Sequence, residues 1–333
     1  MAPGVNAIIS TLDLICGPIP NGRAKDAMLN ENAIRLLRTS DFYMIGGRAE
    51  ARFGGFRFVE PDLLEFRINV RGGAVGLGGI RISKLPSLRS LEDGARVGVR
   101  HTEEFISFCT FDEDSKETLR AAFGTEDILW HRGRKESFVE GFDNHLDLAC
   151  YDLLYVGIAT GTDSYARLIQ KGHTARQQIL SEEPQRYPGA RVSDEIFLML
   201  FRADPLLIKS WGKEDEIEGE DVLMTYSNER LVKDAEKAFI AVLKPPYNKQ
   251  LYSNYPKGKD GNYSVGYTGY SYSLSDGIVL RTAFGSMKGA REKHMAMSDE
   301  ADFISIKGDS VTLHIAGADQ KVDASAPFSG YVS

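Results

Sequence analysis

The sequence is poor in the features that mark several classes of protein. Its three cysteines, Cys16, Cys109 and Cys150, have no paired spacing, so they indicate neither a disulfide framework nor a zinc site. No apolar run approaches the roughly 18–20 residues that a membrane helix needs. The N-terminal residues lack the basic region and the cleavage pattern of a signal peptide. We therefore expect a soluble, cytoplasmic protein with no membrane partner.

Common catalytic motifs are missing as well. The chain has no Gly-x-Ser-x-Gly elbow, no phosphate-loop lysine and no His-Glu-x-x-His motif, which argues against serine hydrolases, nucleoside triphosphatases and zinc proteases. The glycine-rich segment 72–79 is followed by RISKLPSL rather than by a helix, so a pyrophosphate would have no helix N-terminus to bind. No metal-ligand spacing connects the histidines His101, His131, His145, His294 and His314.

What the chain does have is an ordinary globular composition, with 42% hydrophobic and 26% charged residues and a net charge of −7. This balance excludes a disordered chain and argues against a protein that coats nucleic acid non-specifically. Between residues 52 and 100, however, arginines alternate with phenylalanines, a mixture that suits phosphate contacts and base stacking. The simpler interpretation is the solvated face of an antiparallel sheet. The candidate nucleic-acid-binding residues are Arg52, Arg57, Arg67, Arg71 and Arg81.

The pattern predicts an α+β protein with units at residues 1–135, 136–250 and 251–333. In the strand-rich first unit, a possible reader of the target, segments 52–60, 63–70 and 74–82 alternate apolar and polar residues. Helices are predicted there at residues 31–38 and 114–122. The third unit is rich in tyrosine, serine and glycine and predicts a small β-rich unit, which is a candidate surface for homo-oligomerisation.

The middle unit alternates strand and helix patterns. Residues 152–159 predict a short apolar strand, and residues 163–170 begin a helix that Gly172 interrupts. Residues 193–204 predict a second, largely buried helix, and residues 213–221 an acidic, solvated loop. Ser227 caps a last helix, which stops at Pro245.

Two residues in these helices are unusual. In the last helix Glu236 has Ile240 and Leu243 on its own face, and a carboxylate among apolar neighbours is costly unless it is paired or binds a metal. A glutamate at the boundary of a helix face is the alternative. Arg167 follows the strand that bears Tyr155, where a guanidinium could hold a phosphate. A lone helical arginine is otherwise ordinary surface.

Taken together, the segments YVGIA, RLIQKGH and AEKAFIAVLKPPYN resemble the GIY-YIG nuclease superfamily. In that superfamily a strand with Tyr-Ile-Gly precedes a helical Arg that has a basic residue nearby. A later helix supplies a metal-binding Glu, and a proline-containing turn ends in Asn. Tyr155 to Gly157, Arg167, Glu236 and Asn248 occupy the matching positions within about 115 of the 333 residues. The resemblance implies a small antiparallel sheet flanked by helices.

The first half of the motif is missing from its expected place, about ten residues before Tyr155. Glu140-Gly141-Phe142 is the nearest stand-in, but Phe142 lacks a hydroxyl group. Tyr151 has one but lies on the same strand as Tyr155. The general base therefore stays open between Tyr155, His173 and Lys171, since an imidazole suits base catalysis near neutral pH and Lys171 lies one helical turn after the arginine.

The resemblance implies a metal-dependent endonuclease that hydrolyses DNA phosphodiester bonds, with RNA as the other substrate class. A restriction or phage-defence role would follow. Glu236 would hold one Mg²⁺ or Mn²⁺, Arg167 would stabilise charge on the phosphate, and Tyr155 would position or deprotonate the attacking water. Asn248 would anchor the turn behind Glu236. The alternative is a nuclease-like module that binds nucleic acid or a ligand without cutting, which the missing tyrosine and the negative net charge favour.

Overall fold

The computed structural model describes residues 6–89, 96–112, 115–159, 163–211, 225–318 and 321–323, and within them the protein is a mixed α+β structure. The strands, in chain order, are β1 Asn6–Leu14, β2 Ile19–Pro20, β3 Phe42–Gly47, β4 Ala51–Glu60, β5 Leu63–Val70, β6 Val75–Arg81, β7 Arg96–His101, β8 Ile106–Phe111, β9 Glu117–Phe123, β10 Val139–Gly141, β11 Cys150–Ile158, β12 Ile196–Lys209, β13 Gly269–Leu274, β14 Val279–Thr282, β15 Gly285–Lys288, β16 Phe303–Lys307, β17 Ser310–His314 and β18 Lys321–Asp323.

The helices contain fewer residues in total than the strands. They are α1 Glu31–Leu37, α2 Thr125–Gly133, α3 His145–Leu148, α4 Thr174–Glu182, α5 Val192–Glu195 and α6 Asn228–Leu243, with a π-helix at Ala166–Gln170. Single 3-10 turns lie at Asn21–Arg23, Asp26–Leu29, Ile82–Lys84, Pro86–Leu88 and Asn262–Val265. None of the helices in the described ranges has the length and apolar character needed to cross a membrane.

Eleven strands form one large sheet in the order β15-β14-β11-β3-β12-β1-β13-β16-β17-β18, with β2 beside β12. β3 lies between β11 and β12 and is antiparallel to both. Phe42–Gly47 are all buried because helices cover both faces of the sheet at this point. Ala235 and Phe239 of α6 pack on one face, while Leu168 of the π-helix and Ile179 of α4 pack on the other.

The described residues between 48 and 149, here called the inserted lobe, leave the main sheet after β3 and return to it at β11. Their strands form two small antiparallel sheets, β10-β6-β5-β4 and β7-β8-β9. The core of the inserted lobe is rich in phenylalanine and contains Phe53, Phe66, Phe108, Phe138 and Phe142. The lobe therefore has a core of its own, separate from that of the main sheet.

The main sheet crosses both of the predicted unit boundaries, at residues 135 and 250. Its strands β1 and β3 come from the first predicted unit, β11 and β12 from the second, and β13 to β18 from the third. β1 pairs with β12 on one side and with β13 on the other, although more than 180 residues separate the partners. Such long-range pairing leaves no local pattern in the sequence. The predicted unit boundaries therefore fall between strands of one sheet.

Several predicted elements are confirmed. Helix α1 covers the predicted segment 31–38, and Ser227 caps α6 by accepting a hydrogen bond from the Arg230 amide at 3.3 Å. The α6 helix ends at Leu243, and its C-cap residue, Lys244, comes immediately before Pro245. Gly172 separates the π-helix from α4, as predicted for the interrupted helix. The acidic loop at residues 213–221 lies outside the described residues.

Two predicted helices are wrong. Residues 114–122 overlap strand β9, which pairs with β8. Residues 193–204 overlap strand β12, a central strand whose first six residues, Ile196–Phe201, are all buried. A strand covered on both faces carries a continuous apolar run instead of an alternating one, and such a run resembles a buried helix in the sequence.

Candidate functional site

One pocket collects every side chain that the sequence singles out for catalysis. It has a volume of about 570 Å³ and lies where β11, the π-helix, α6 and the turn after α6 meet. Its predicted members are Tyr155, Arg167, Lys171, His173, Glu236 and Asn248. The pocket is also lined by residues that the sequence does not single out, including Gln178, Tyr247, Lys249, Gln250 and Tyr252. A polar pocket with three lysine or arginine side chains and one carboxylate suits an anionic ligand.

A tyrosine from a distant strand stands beside Tyr155. The antiparallel register of β3 and β11 sets Tyr43 opposite Gly157 and Ile45 opposite Tyr155. The Tyr43 and Tyr155 rings are stacked, with their centroids 6.2 Å apart and an interplanar angle of 22°. A Cβ atom at position 157 would lie 2.6 Å from the Tyr43 hydroxyl oxygen, so this close approach requires glycine. The strand pair thus brings two tyrosines together, one of them absent from the predicted site.

The two residues named as stand-ins for this second tyrosine lie elsewhere. Phe142 is fully buried in the core of the inserted lobe, with its ring 5.6 Å from that of Phe66. Tyr151 is also buried and donates its hydroxyl hydrogen to Glu126 Oε2 at 2.7 Å. Neither residue lies beside Tyr155 in the way Tyr43 does, because β11 pairs with β3 and not with the chain just before it.

His173 connects the two tyrosines to the start of α4. Its Nδ1 accepts a hydrogen bond from the backbone amide of Arg176 at 3.3 Å, and its Nε2 lies 3.0 Å from the Tyr43 hydroxyl. Burial, together with the charges of Arg167 and Arg176, lowers the pKa of His173 to about 4, so the ring is neutral at pH 7. A backbone amide can only donate, so the single ring hydrogen must lie on Nε2 and is donated to Tyr43. With both nitrogens engaged, His173 is unsuited to the role of general base.

The hydroxyl hydrogen of Tyr43 is then available for a hydrogen bond to the Tyr155 hydroxyl oxygen. Burial raises the pKa of Tyr155, and the nearby Glu236 raises it further. The charge of Arg167 and hydrogen bonding from Tyr43 act in the opposite direction on that pKa. Burial also raises the pKa of Tyr43 well above its usual range, so Tyr43 stays protonated as the donor. Both hydroxyl groups are therefore protonated near neutral pH, and of the two Tyr155 is the one whose phenolate form would accept a hydrogen bond, from Tyr43.

Arg167 and Lys171 line the pocket with exposed side chains and make no ion pair with another described side chain. The Lys171 amide donates to the Ala166 carbonyl at 3.0 Å, the five-residue spacing of a π-helix. Gly172 follows with a left-handed backbone, φ +75°, and turns His173 inward at the start of α4. The interruption that the sequence predicts thus directs two cations and one imidazole toward the same pocket.

Glu236 differs from the neighbouring carboxylates of α6. Glu229 forms an ion pair with Lys233 at 2.6 Å, and Asp234 accepts hydrogen bonds from buried tyrosine hydroxyls, including that of Tyr255 at 2.6 Å. Glu236 lines the pocket, and no hydrogen bond joins it to a described donor. Burial raises the pKa of Glu236 to about 7, while the charges of Arg167 and Lys237 oppose that rise. This carboxyl group is therefore the one on α6 that is left for a ligand.

Asn248 holds the strand that carries Tyr155. Its Oδ1 accepts from the Val156 amide at 2.9 Å and its Nδ2 donates to the Val156 carbonyl at 2.8 Å. The neighbouring Tyr247 amide donates to the Leu154 carbonyl at 3.1 Å. β14 pairs only with Cys150–Asp152, so the turn after α6 satisfies the rest of this edge of β11. Asn248 positions β11 relative to α6, and its amide is fully used in doing so.

A metal ion bound here would have few protein ligands. Within the described residues, no group of three or more His, Cys, Asp or Glu side chains lies close enough to hold an ion. Mg²⁺ nevertheless keeps several of its waters and binds to proteins through one or two carboxylates. The unengaged Glu236 carboxyl group in a polar pocket fits an ion of this kind, with Glu236 as the single side-chain ligand.

The arginines of the inserted lobe are mostly neutralised within the protein. Carboxylates of the same lobe lie within 3.4 Å of Arg52, Arg57, Arg71 and Arg81. Arg67 is exposed on β5 and makes no ion pair with a described side chain. The five candidate nucleic-acid-binding arginines therefore form chiefly intramolecular ion pairs on a sheet face, and they lie outside the pocket.

Comparisons of the chain with protein-family models, with curated proteins and with solved structures find no match.

Proposed function

We propose that this protein is a metal-dependent endonuclease of the GIY-YIG type, which hydrolyses phosphodiester bonds in DNA. The observation that carries the proposal is the pocket in which Tyr155, Arg167, Lys171 and Glu236 line one cavity, with Tyr43 stacked beside Tyr155. In this proposal β3, β11 and β12 with their flanking helices make up the GIY-YIG-like core. Tyr43 then takes the place of the tyrosine that the sequence lacks immediately before β11.

The chemistry needs charge stabilisation and a proton acceptor. Arg167 and Lys171 would bind the non-bridging oxygens of the phosphate and stabilise the charge that develops during attack. The phenolate form of Tyr155, which is the minor form near neutral pH because burial raises the pKa of this residue, would accept a proton from the attacking water while Tyr43 donates a hydrogen bond to the phenolate oxygen. The water oxygen forms the new bond to phosphorus, and the departing oxygen takes up a proton from solvent.

Glu236 would hold the Mg²⁺ or Mn²⁺, and the bound ion supplies positive charge at the phosphate. A carboxyl group with a pKa near 7 is partly protonated at neutral pH, so metal binding and proton release are coupled. We therefore expect metal-dependent cleavage to increase from pH 6 to pH 8.

A supercoiled-plasmid nicking assay with Mg²⁺ tests the proposal. The wild type should nick the plasmid, and Glu236→Ala should lose activity by a factor on the order of 100 or more, since a principal charge-stabilising group is removed. Glu229→Ala is the matched control on the same helix because Glu229 is exposed and outside the pocket; it should nick like the wild type. Failure of the wild type to cleave any DNA or RNA with Mg²⁺ or Mn²⁺ would contradict the proposal.

The alternative is a nuclease-like module that binds nucleic acid without cutting. It is favoured by the absence, among the described side chains, of any three-residue metal-ligand group. It is also favoured by the burial that raises the pKa of Glu236 and thereby weakens this carboxyl group as a metal ligand. Binding of DNA that is unaffected by EDTA, with no cleavage under any condition of the nicking assay, would support this alternative.

For the biological role we propose restriction or phage defence. The inserted lobe interrupts the chain between the two tyrosine-bearing strands, and it offers surface for choosing a target. The homo-oligomer considered for the C-terminal region remains a proposal, and size-exclusion chromatography of the full chain tests it.

A further inference from the structure

A second pocket continues from the candidate site past Tyr252. It has a volume of about 520 Å³ and shares Gln250 and Tyr252 with the first pocket. Glu236 of α6 lines the first pocket, and the next residue, Lys237, lines the second. The two pockets are therefore adjacent, and Gln250 and Tyr252 lie at their junction.

Tyr252 stands at the junction in an unusual conformation. Its backbone is left-handed, φ +49°, which is uncommon for a residue with a bulky side chain and which persists when the surrounding structure holds it. Its hydroxyl makes no hydrogen bond with a described group, while Lys237 Nζ lies 5.8 Å from the centroid of the ring. Burial raises the pKa of Tyr252, and the charges of Glu236 and Asp260 on either side raise it further. The Tyr252 ring thus lies between the two pockets, and its hydroxyl group has no hydrogen-bond partner among the described residues.

The remaining lining of the second pocket suits one nucleotide. The positive charge of the lining comes from Lys237 and from Lys257, which forms an exposed ion pair with Asp309 at 2.9 Å. Gln250, Ser253 and Asn254 supply neutral hydrogen-bonding groups. Lys237 pairs with the exposed Asp260, a partner that a phosphate could replace. An aromatic ring beside cationic side chains is the arrangement by which proteins bind unpaired bases. The pocket has the size of a small-molecule site.

We propose that the second pocket binds the nucleotide next to the scissile phosphate, with its base stacked on Tyr252 and its phosphate on Lys237. This inference rests on the proposed nuclease function and specifies its substrate class. A base on Tyr252 has to leave the helical stack, so the substrate strand is single-stranded, or locally unpaired, at the site of cleavage.

Binding without cleavage tests the proposal. In EDTA, fluorescence anisotropy compares a labelled single DNA strand of about 12 nucleotides with the blunt duplex of the same sequence. The wild type should prefer the single strand. Tyr252→Leu keeps an apolar side chain but has no aromatic face, so its affinity for the strand should fall by about tenfold while duplex binding stays unchanged. Tyr252→Phe should recover the preference for the strand.

Two further variants test a tyrosine outside both pockets and the phosphate contact of Lys237. Tyr226→Ala removes an exposed tyrosine that lines neither pocket, and it should bind both probes like the wild type. Lys237→Gln should lower the dependence of strand affinity on salt by about one phosphate contact. Equal binding of both probes by Tyr252→Leu and wild type overturns the inference, as does absence of strand binding by the wild type. A wild type that binds the strand through Tyr252 but never cleaves overturns the nuclease proposal alone.

Discussion

The position of one hydrogen on the His173 ring determines the hydrogen bonds that connect His173, Tyr43 and Tyr155. Because the Arg176 amide donates to His173 Nδ1, the neutral imidazole carries its hydrogen on Nε2 and donates it to Tyr43. Tyr43 is thereby free to donate to Tyr155. His173, predicted as a candidate base, instead orients the Tyr43 hydroxyl group. In the proposed reaction Tyr155 and Lys171 then stay as candidates for the general base.

The variant Tyr43→Phe tests the hydrogen bond between Tyr43 and Tyr155. It keeps the stacked ring but removes the hydrogen bond that lowers the pKa of Tyr155. The pKa of Tyr155 should therefore rise, so that less of the base form is present at pH 8. We expect nicking at pH 8 to fall roughly tenfold and the pH–rate profile to move to higher pH.

The pH profile of plasmid nicking from pH 6 to pH 10 measures this effect. Tyr187→Phe is the control because Tyr187 lies outside the pocket, against Arg71 of the inserted lobe. A profile for Tyr43→Phe that falls in rate without moving along the pH axis would rule out support of Tyr155 through hydrogen bonding.

Among the elements, the π-helix and the turn after α6 decide where the pocket lies. π-helical segments are rare, and many of those known lie at functional sites. Here the π-helix ends at Gln170, and the left-handed backbone of Gly172 changes the direction of the chain. This change brings Arg167, Lys171 and His173 to one side of the pocket. On the other side the turn after α6 binds the open edge of β11 through Asn248. Glu236 and Tyr155 are thus held at a fixed separation by backbone pairing.

Asn248→Ala should loosen this attachment. The change leaves the Val156 amide and carbonyl without their partners, and an unsatisfied buried backbone group is costly. We expect the free energy of unfolding to fall by about 2 kcal/mol. Nicking should fall as well, because Tyr155 loses its fixed position.

Urea denaturation measures the change in stability. Gln185→Ala removes an exposed amide from a loop outside the pocket and should leave the unfolding midpoint unchanged. Wild-type stability in Asn248→Ala would show that solvent replaces the side chain at the strand edge.

In the whole molecule, a buried charged network joins the inserted lobe to the main sheet. Arg48, immediately after β3, donates to Glu126 Oε1 at 2.6 Å and to Tyr151 of β11 at 3.2 Å. It also donates to the Leu148 carbonyl. The Arg48 and Glu126 side chains are only 5% and 8% exposed. The network lies at the point where the chain leaves the sheet and returns to it, so it sets how the lobe meets the two tyrosine-bearing strands.

Removing one partner of this network leaves a buried charge uncompensated. Arg48→Ala is therefore expected to lower the free energy of unfolding by about 3–5 kcal/mol. Arg57→Ala is the comparison, since Arg57 pairs with Glu65 at an exposed site and the loss should stay within about 1 kcal/mol. Thermal and urea unfolding measure both variants. Similar effects of the two substitutions would show that the network does not hold the lobe in place.

Much of the local structure could be predicted from the sequence. The alternating strands β4, β5 and β6, the Ser227 cap of α6 and the interruption at Gly172 all have local causes, because each depends on neighbours a few residues away. The wrong helix prediction at β12 has its origin in burial, whereas the one at β9 falls on a mostly exposed strand. β12 was assigned to a helix because helices cover both of its faces, and only the tertiary structure removes the alternation that identifies a strand.

The same division applies to the candidate site. The resemblance to the GIY-YIG superfamily selected the motif positions and the basic residues near the arginine. All of them line the pocket: Tyr155, Arg167, Lys171, His173, Glu236 and Asn248. Tyr43 could not be selected, because its place beside Tyr155 depends on the pairing of β3 with β11 across the inserted lobe. Tyr252 was missed because its place depends on a left-handed backbone next to α6. The chain alone determined which chemical groups are present, whereas long-range strand pairing and burial decided which of them meet and which proton each one carries.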